Sequence, residues 1–134
     1  MGSARLLNNM IDVTAAIIGR DGKYLISQRK GGTFDGKWEF PGGCVENDET
    51  PEQCLRRELE EELEIDSVIG DFFAESVHDY GHKKVRITSY FVKHFSGKIL
   101  PKVHYEHRWV SPNEIRNYDF IEADKPFIDK LMNL

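Results

Sequence analysis

The stretch that decides the fold of this 134-residue chain spans positions 43–65 and reads GCVENDETPEQCLRRELEEELEI. Its second half predicts a helix that begins at Pro51 and ends near Leu63. Thr50 and Gln53 have the spacing of a capping box, and proline is favoured at the first position of a helix. Within the helix a leucine recurs every fourth residue, so the leucines form one apolar stripe. The stretch is therefore predicted to be a polar loop followed by an amphipathic helix.

Three glutamates of this helix lie beside the leucine stripe. Glu58, Glu61 and Glu62 fall within about 100° of arc on the helical wheel. Carboxylates at this spacing repel one another unless a cation lies among them. In most Glu-rich helices such residues are solvated surface charges. Mg²⁺, however, prefers oxygen ligands and is typically held by one or two carboxylates together with substrate phosphates. The helix by itself leaves both interpretations open.

The loop and the helix together resemble the Nudix box. That pattern is Gly, five residues, Glu, seven residues, Arg-Glu, an aliphatic residue, any residue, Glu-Glu, any residue, Gly and an aliphatic residue. Eight positions are in register: Gly43, Glu49, Arg57, Glu58, Leu59, Glu61, Glu62 and Ile65. A chance match to them has a probability on the order of one in a million. Glu64 stands where the family has Gly, so either it adopts a left-handed conformation at a cost of about 1 kcal/mol or the helix continues.

The resemblance extends to KWEFPGG (37–43) before the box and to FIEADKPFI (120–128) in the tail. It implies the Nudix fold, a mixed β-sheet sandwiched between α-helices, as a single domain over residues 1–134. The apolar and turn patterns favour the same α/β class.

Residues 1–10 are expected to be flexible or an addition to the natural start, and 30–43 a long loop or a broken strand. The predicted strands are 11–18, 24–27, 68–77, 85–95 and 107–110; the later helices are 112–117, capped by Ser111, and 124–134.

The resemblance also implies a metal site. Its ligands would be Glu61, Glu62 and the carbonyl of Gly43, with Mg²⁺ as the cofactor and Mn²⁺ as a substitute. Glu58 would be a further ligand or the base that orients the attacking water, and one sequence does not separate these two roles. Arg57 would hold an acidic residue of the loop, most plausibly Glu49, in an ion pair that supports the catalytic residues.

Four more residues are candidates outside the box. Glu106 is expected to act as an added ligand or base, with an ordinary loop glutamate as the alternative. Arg29 matches an arginine that contacts substrate in MutT-type members. Phe40, like Phe34 and Trp38, would stack on a base or belong to the core. Asp124 stands where MutT-type enzymes have a base-reading Asn, and when ionised it can accept a hydrogen bond from an exocyclic amine such as that of cytosine.

These residues predict a Mg²⁺-dependent nucleoside triphosphate pyrophosphohydrolase that releases a monophosphate and pyrophosphate. The leading substrates are 8-oxo-dGTP and CTP or dCTP. ADP-ribose hydrolysis is disfavoured, because such members usually carry a proline shortly after the box and Ser67 to Lys98 contains none. Hydrolysis of dinucleoside polyphosphates stays open. A non-catalytic Nudix-fold ligand sensor is the alternative from a different class.

Composition limits the partners. The formal net charge of −5 disfavours long nucleic acids, which bind mainly through lysine and arginine. No apolar run approaches the roughly 20 residues of a membrane span. Two cysteines fit a reducing compartment, so a cytoplasmic monomer or homodimer that takes a small nucleotide is expected. The five histidines have no metal-ligand spacing.

Overall fold

The computed structural model describes residues 10–134. Its strands are β1 (Met10–Ile17), β2 (Gly19–Arg20), β3 (Lys23–Arg29), β4 (Trp38–Glu39), β5 (Gly42–Cys44), β6 (Asp66–Asp79), β7 (Lys84–Ser96) and β8 (His104–Val110). Its helices are α1 (Pro51–Leu63), α2 (Pro112–Ile115) and α3 (Lys125–Met132), with a 3₁₀ turn at Glu122–Asp124. The expectation about residues 1–10 falls outside the described residues except at Met10, which begins β1.

Two four-stranded sheets form the framework. The first has the order β5-β1-β7-β6, in which β1 and β7 are parallel and the other pairs are antiparallel. In the second, β3 pairs with β2, β4 and β8, always antiparallel. The predicted mixed-sheet α/β class is therefore confirmed. The predicted loop or broken strand at 30–43 contains the short strands β4 and β5, so it is a broken strand.

Alternation along β1 places a core on each face of the first sheet. Ala16 and Ile18 pack with the leucines of α1, while Ala15 and Ile17 belong to the cluster that contains Phe127 of α3. A sheet covered on both faces by helices is the predicted sandwich. The stripe residues Leu55, Leu59 and Leu63 are fully buried.

The start of α1 has the predicted capping box. The Thr50 hydroxyl accepts a hydrogen bond from the Gln53 N–H at 3.1 Å, and the Gln53 side chain accepts one from the Thr50 N–H at 2.9 Å. Ser111 is the N-cap residue of α2, as predicted. Its hydroxyl donates to the Glu114 carboxylate at 2.8 Å and makes no hydrogen bond to the helix backbone.

Several predicted boundaries differ from the observed ones. β8 begins at His104, three residues before the predicted start, because its pairing with β3 continues past a bulge next to Arg29. The predicted helix at 124–134 begins one residue later than expected. Asp124 is the last residue of the 3₁₀ turn, and α3 covers Lys125–Met132. Pro126 in the first turn of α3 suits a helix that begins at Lys125, since proline is tolerated there.

The end of α1 decides between the two expectations for Glu64. The helix ends at Leu63, and Glu64 has φ 57° and ψ 34°, the left-handed conformation that glycine adopts most readily. Its N–H donates to the Glu60 carbonyl at 3.1 Å, which closes the last turn. The first expectation is therefore confirmed: the helix does not continue, and Glu64 adopts this conformation at a cost.

We expect Glu64→Gly to raise the free energy of unfolding by about 1 kcal/mol, because glycine adopts the left-handed conformation without strain. Urea denaturation measures the change. The matched control is Glu60→Gly in the exposed middle of the same helix, which is expected to lower stability by about 0.5–1 kcal/mol. A loss of stability in both variants would contradict the strain assigned to position 64.

Candidate active site

A cavity of about 480 Å³ opens between the Nudix-like helix and the tail of the chain. The box contributes Gly43, Glu58 and Glu62 to its wall, and the 3₁₀ turn contributes Asp124. Its charged lining includes the basic residues Arg29, Lys30 and Lys83 as well as four carboxyl groups, those of Glu39, Glu58, Glu62 and Asp124. The fold therefore brings together residues that lie far apart in the sequence.

Arg57 fastens the box loop to α1. Its Nε and Nη2 donate to the two carboxylate oxygens of Glu49 at 2.8 and 2.9 Å, a bidentate pair that matches the predicted one. This guanidinium lowers the pKa of Glu49 to about 2. Nη1 also donates to Glu58 at 2.8 Å and to Glu61 at 3.2 Å, and Nη2 donates to the Cys44 carbonyl at 3.2 Å.

Glu62 is the carboxylate of this site that best fits a ligand of a cation. Its Oε1 is buried and has no hydrogen-bond partner among the described residues. Burial, followed by the hydrogen bond and the charge of Glu58, raises the pKa of Glu62 well above its usual range. A buried carboxylate oxygen without a partner is unfavourable unless a positive charge or a proton compensates it. The position of this oxygen in the cavity wall fits a divalent cation.

Gly43 lies directly against the Glu58 carboxylate. A Cβ at position 43 would come within 2.3 Å of the Glu58 Cδ, so only glycine leaves the carboxylate where it is. The Thr14 hydroxyl and the Cys54 thiol lie 3.3 and 3.6 Å from the Gly43 carbonyl. Within residues 10–134 no group of three or more His, Cys, Asp or Glu side chains is arranged to hold a metal. Arg57 instead holds two of the predicted ligands, Glu58 and Glu61.

Asp124 is a buried residue that also lines the cavity. Its Oδ2 accepts a hydrogen bond from the Phe40 N–H at 2.8 Å. Burial, with the charge of Glu39 as the next cause, raises the pKa of Asp124 to about 8. The group is therefore protonated at neutral pH, whereas the cytosine argument from the sequence assumes the ionised form. A protonated carboxyl both donates and accepts hydrogen bonds.

Of the remaining predicted residues, Arg29 and Phe40 line the cavity and Glu106 does not. Arg29 lines the cavity and donates to Glu39 at 2.9 Å. Phe40 lines it too, but the residue is only 2% exposed and its ring packs on Phe120. Its backbone N–H is the group that contacts Asp124. Glu106 is not among the lining residues: it pairs with Arg108 at 2.5 Å on the half-exposed face of β8.

Sequence reasoning missed Glu39 and His104, which meet at the cavity wall. The Glu39 Oε2 lies 3.0 Å from the His104 Nε2, and the Glu39 side chain is 13% exposed. The two residues are 65 positions apart and become neighbours because β4 and β8 both pair with β3. Metal-ligand spacing was the wrong criterion by which to judge the histidines. The ring of His104 contacts the carboxylate of Glu39 and not a metal ion.

Comparison with known proteins agrees with this geometry. The family model described as NUDIX domain matches residues 13–130. A CTP pyrophosphohydrolase of Escherichia coli is 39% identical over 126 residues, 93% of each chain. An 8-oxo-dGTP diphosphatase of Haemophilus influenzae is 33% identical over 126 residues, which cover 92% of this chain and 93% of that protein.

Two solved structures have the same fold. The solution structure of the E. coli ORF135 protein superposes with a TM-score of 0.85 at 38% identity and covers 93% of this chain and 90% of that one. The MutT protein of Methanosarcina mazei gives a TM-score of 0.83 at 26% identity, with 92% and 94% coverage. The chain belongs to the Nudix family, and it is a Nudix hydrolase. Members of this family generally use a divalent metal.

Between positions 10 and 134, no helix has the length and apolar character needed to cross a membrane.

We expect Gly43→Ala to reduce hydrolysis by about 100-fold with little loss of stability, because the new methyl group displaces the end of a flexible side chain by about 1 Å. The rate is measured on the nucleotide that the wild type cleaves fastest, and stability by thermal unfolding. Gly42→Ala is the contrasting variant. Its Cβ would meet the backbone carbonyl of Thr14, so it should unfold the protein at a lower temperature. Full activity of Gly43→Ala would contradict the placement of Glu58.

Proposed function

We propose that the protein is a Mg²⁺-dependent nucleoside triphosphate pyrophosphohydrolase that releases a monophosphate and pyrophosphate, with CTP or dCTP and 8-oxo-dGTP as leading substrates. Mn²⁺ is a substitute cofactor. One observation carries the proposal: a single cavity is lined by the box carboxylates Glu58 and Glu62, including the unpartnered oxygen of Glu62, and by the buried carboxyl group of Asp124. The names of the two similar proteins support the choice of substrates.

The residues of the box have separate tasks in this proposal. Glu58, Glu61, Glu62 and the Gly43 carbonyl would hold the cation, and Glu58 is also the candidate for orienting the attacking water. The cation supplies charge neutralisation and polarisation of the phosphoryl oxygens when bound. Arg57 keeps the loop in register with α1 through Glu49.

Basic residues of the cavity can bind the polyphosphate. Arg29, Lys30 and Lys83 line the same cavity as the carboxylates, so they supply positive charge where a triphosphate would bind. Charge-assisted contacts of this kind orient phosphates without taking part in bond cleavage.

The part of the cavity at Asp124 is suited to a nucleotide base whose edge presents a hydrogen-bond donor next to an acceptor. A protonated Asp124 offers one donor and acceptor sites. Cytosine presents its N4 amino group as a donor beside an acceptor nitrogen, and 8-oxoguanine carries a hydrogen on N7 beside O6. Guanine presents N7 and O6 as two acceptors. The same carboxyl group therefore fits both leading substrates.

The proposal is tested by measuring pyrophosphate and monophosphate release with Mg²⁺ from 8-oxo-dGTP, the common NTPs and dNTPs, ADP-ribose and a dinucleoside polyphosphate. We expect both products from a triphosphate in a 1:1 ratio. Glu62→Gln should abolish release while it keeps the shape of the carboxyl group. Glu60→Gln, on the exposed side of α1, is the matched control and should retain the rate.

Other outcomes point to the alternatives. Cleavage of ADP-ribose or of the dinucleoside polyphosphate alone would replace the triphosphate assignment. Metal binding by folded protein without turnover of any compound would favour the ligand sensor.

Asp124→Asn tests this part of the cavity in two ways. The folded state keeps this carboxyl protonated up to about pH 8, whereas the unfolded chain ionises it near its ordinary pKa of 3.8. The unfolded state therefore binds fewer protons between these values, and this group's contribution to stability falls as the pH rises from about 4 to 8. Denaturation at pH 5 and pH 8 should show a smaller pH dependence in Asp124→Asn than in wild type.

The variant should also retain kcat/KM for CTP and 8-oxo-dGTP, because its amide offers a donor beside an acceptor as a protonated carboxyl group does, whereas Asp124→Leu should lower kcat/KM for both. Asp129→Asn, at an exposed position of α3, is the control for both measurements. An unchanged kcat/KM in folded Asp124→Leu would refute base recognition by this residue.

A further inference from the structure

A buried polar cluster lies where β3, β4 and β8 meet. It consists of Ser27, Glu39, His104 and His107, and we call it the histidine cluster. Ser27 pairs with Glu39 on one side and with His107 on the other in the register of the second sheet. The Ser27 Oγ and the His107 Nδ1 are 2.7 Å apart, and the rings of His104 and His107 have their centroids at 5.1 Å.

Glu39 is held at both carboxylate oxygens. Arg29 donates to Oε1 at 2.9 Å, and the Nε2 of His104 lies 3.0 Å from Oε2. Both partners line the same cavity as Glu39. A carboxylate oxygen can accept two hydrogen bonds, so each oxygen keeps capacity for a ligand while its orientation is fixed.

The hydrogen bond determines the tautomer of His104. A carboxylate only accepts, so Nε2 must carry the proton. The other ring nitrogen, Nδ1, is buried and has no partner among the described residues, and the same holds for Nε2 of His107. The two rings differ in the partner of their bonded nitrogen, which is Glu39 for His104 and Ser27 for His107. The contact with a carboxylate that lines the cavity is therefore what sets His104 apart.

We propose that His104 is a positioning residue that holds the Glu39 carboxylate in the orientation in which it meets the nucleotide. The inference rests on the proposed function, because it assumes that a nucleotide occupies the cavity. Glu39 lies close enough to Glu62 and to Asp124 for its charge to act on both. A Glu39 side chain that turned freely would lose its alignment with a ligand that spans these two groups. His104 thus acts on binding through Glu39 and makes no contact of its own with the reacting phosphorus.

Steady-state kinetics of His104→Leu on the best triphosphate test the proposal. We expect KM to rise by about tenfold, the order that one lost hydrogen bond to a charged group produces, while kcat stays within about twofold. His104→Gln should restore most of the affinity, because its amide can donate from near the position of Nε2. In a Glu39→Ala background, His104→Leu should have no further effect on KM.

His107→Leu is the matched control. It removes the same ring from the same cluster but breaks the bond to Ser27 and leaves Glu39 in place, so its KM should be unchanged. Equal rises of KM in the two leucine variants would show a packing effect and overturn the proposal. An additive effect of His104→Leu in the Glu39→Ala background would also overturn it.

A spectroscopic measurement separates this proposal from the proposed function. Long-range ¹H–¹⁵N correlation spectra should show His104 protonated on Nε2 in the wild type, and Glu39→Ala should shift that signal. An unprotonated Nε2, or a spectrum that Glu39→Ala leaves unchanged, would refute the positioning contact even if the enzyme hydrolyses triphosphates. Failure of the wild type on every triphosphate would refute the proposed function and, with it, the role of His104 in nucleotide binding.

Discussion

The bidentate pair between Arg57 and Glu49 is the interaction on which the site depends. It joins the loop of residues 43–50 to the second turn of α1, and the same guanidinium reaches the carbonyl of Cys44. Three points of the loop and helix are thereby fixed relative to one another. The link holds residues 44–49 against α1, and the pairing of β5 with β1 holds Gly43 beside them. A planar guanidinium suits this task because its donors have a fixed geometry.

Close packing of backbone and side chain supplies a second constraint. Gly42 passes so near the Thr14 carbonyl, and Gly43 so near Glu58, that any Cβ would collide at either position. β5 pairs with β1 at this point, so the approach fixes how far the box helix stands from the first sheet. The glycines are therefore required by contact distances rather than by unusual backbone angles.

The carboxyl groups in and beside the cavity differ in their pKa values. Glu49, outside the cavity and next to Arg57, has a lowered pKa, whereas burial raises the pKa of Glu62 and of Asp124 in the cavity wall. Glu39 contributes to both increases, and it is itself held by Arg29 and His104. One group of acidic side chains can therefore offer both ligands for a cation and a hydrogen-bond donor.

The sequence by itself determined what depends on neighbours along the chain. The capping box at Thr50 and the leucine stripe involve residues close together in one segment, so their spacing was sufficient to predict them. The pairing of Glu49 with Arg57 was implied by the resemblance of the loop and helix to the Nudix box. Tertiary structure alone decided the contacts between distant segments. The register of β8 with β3, shifted by a bulge beside Arg29, placed His104 next to Glu39. Glu106 forms an ion pair with Arg108 and does not line the cavity. Burial raised the pKa of Asp124. Strand register and solvent exclusion are properties of the assembled sheets, and the local pattern of residues does not contain them.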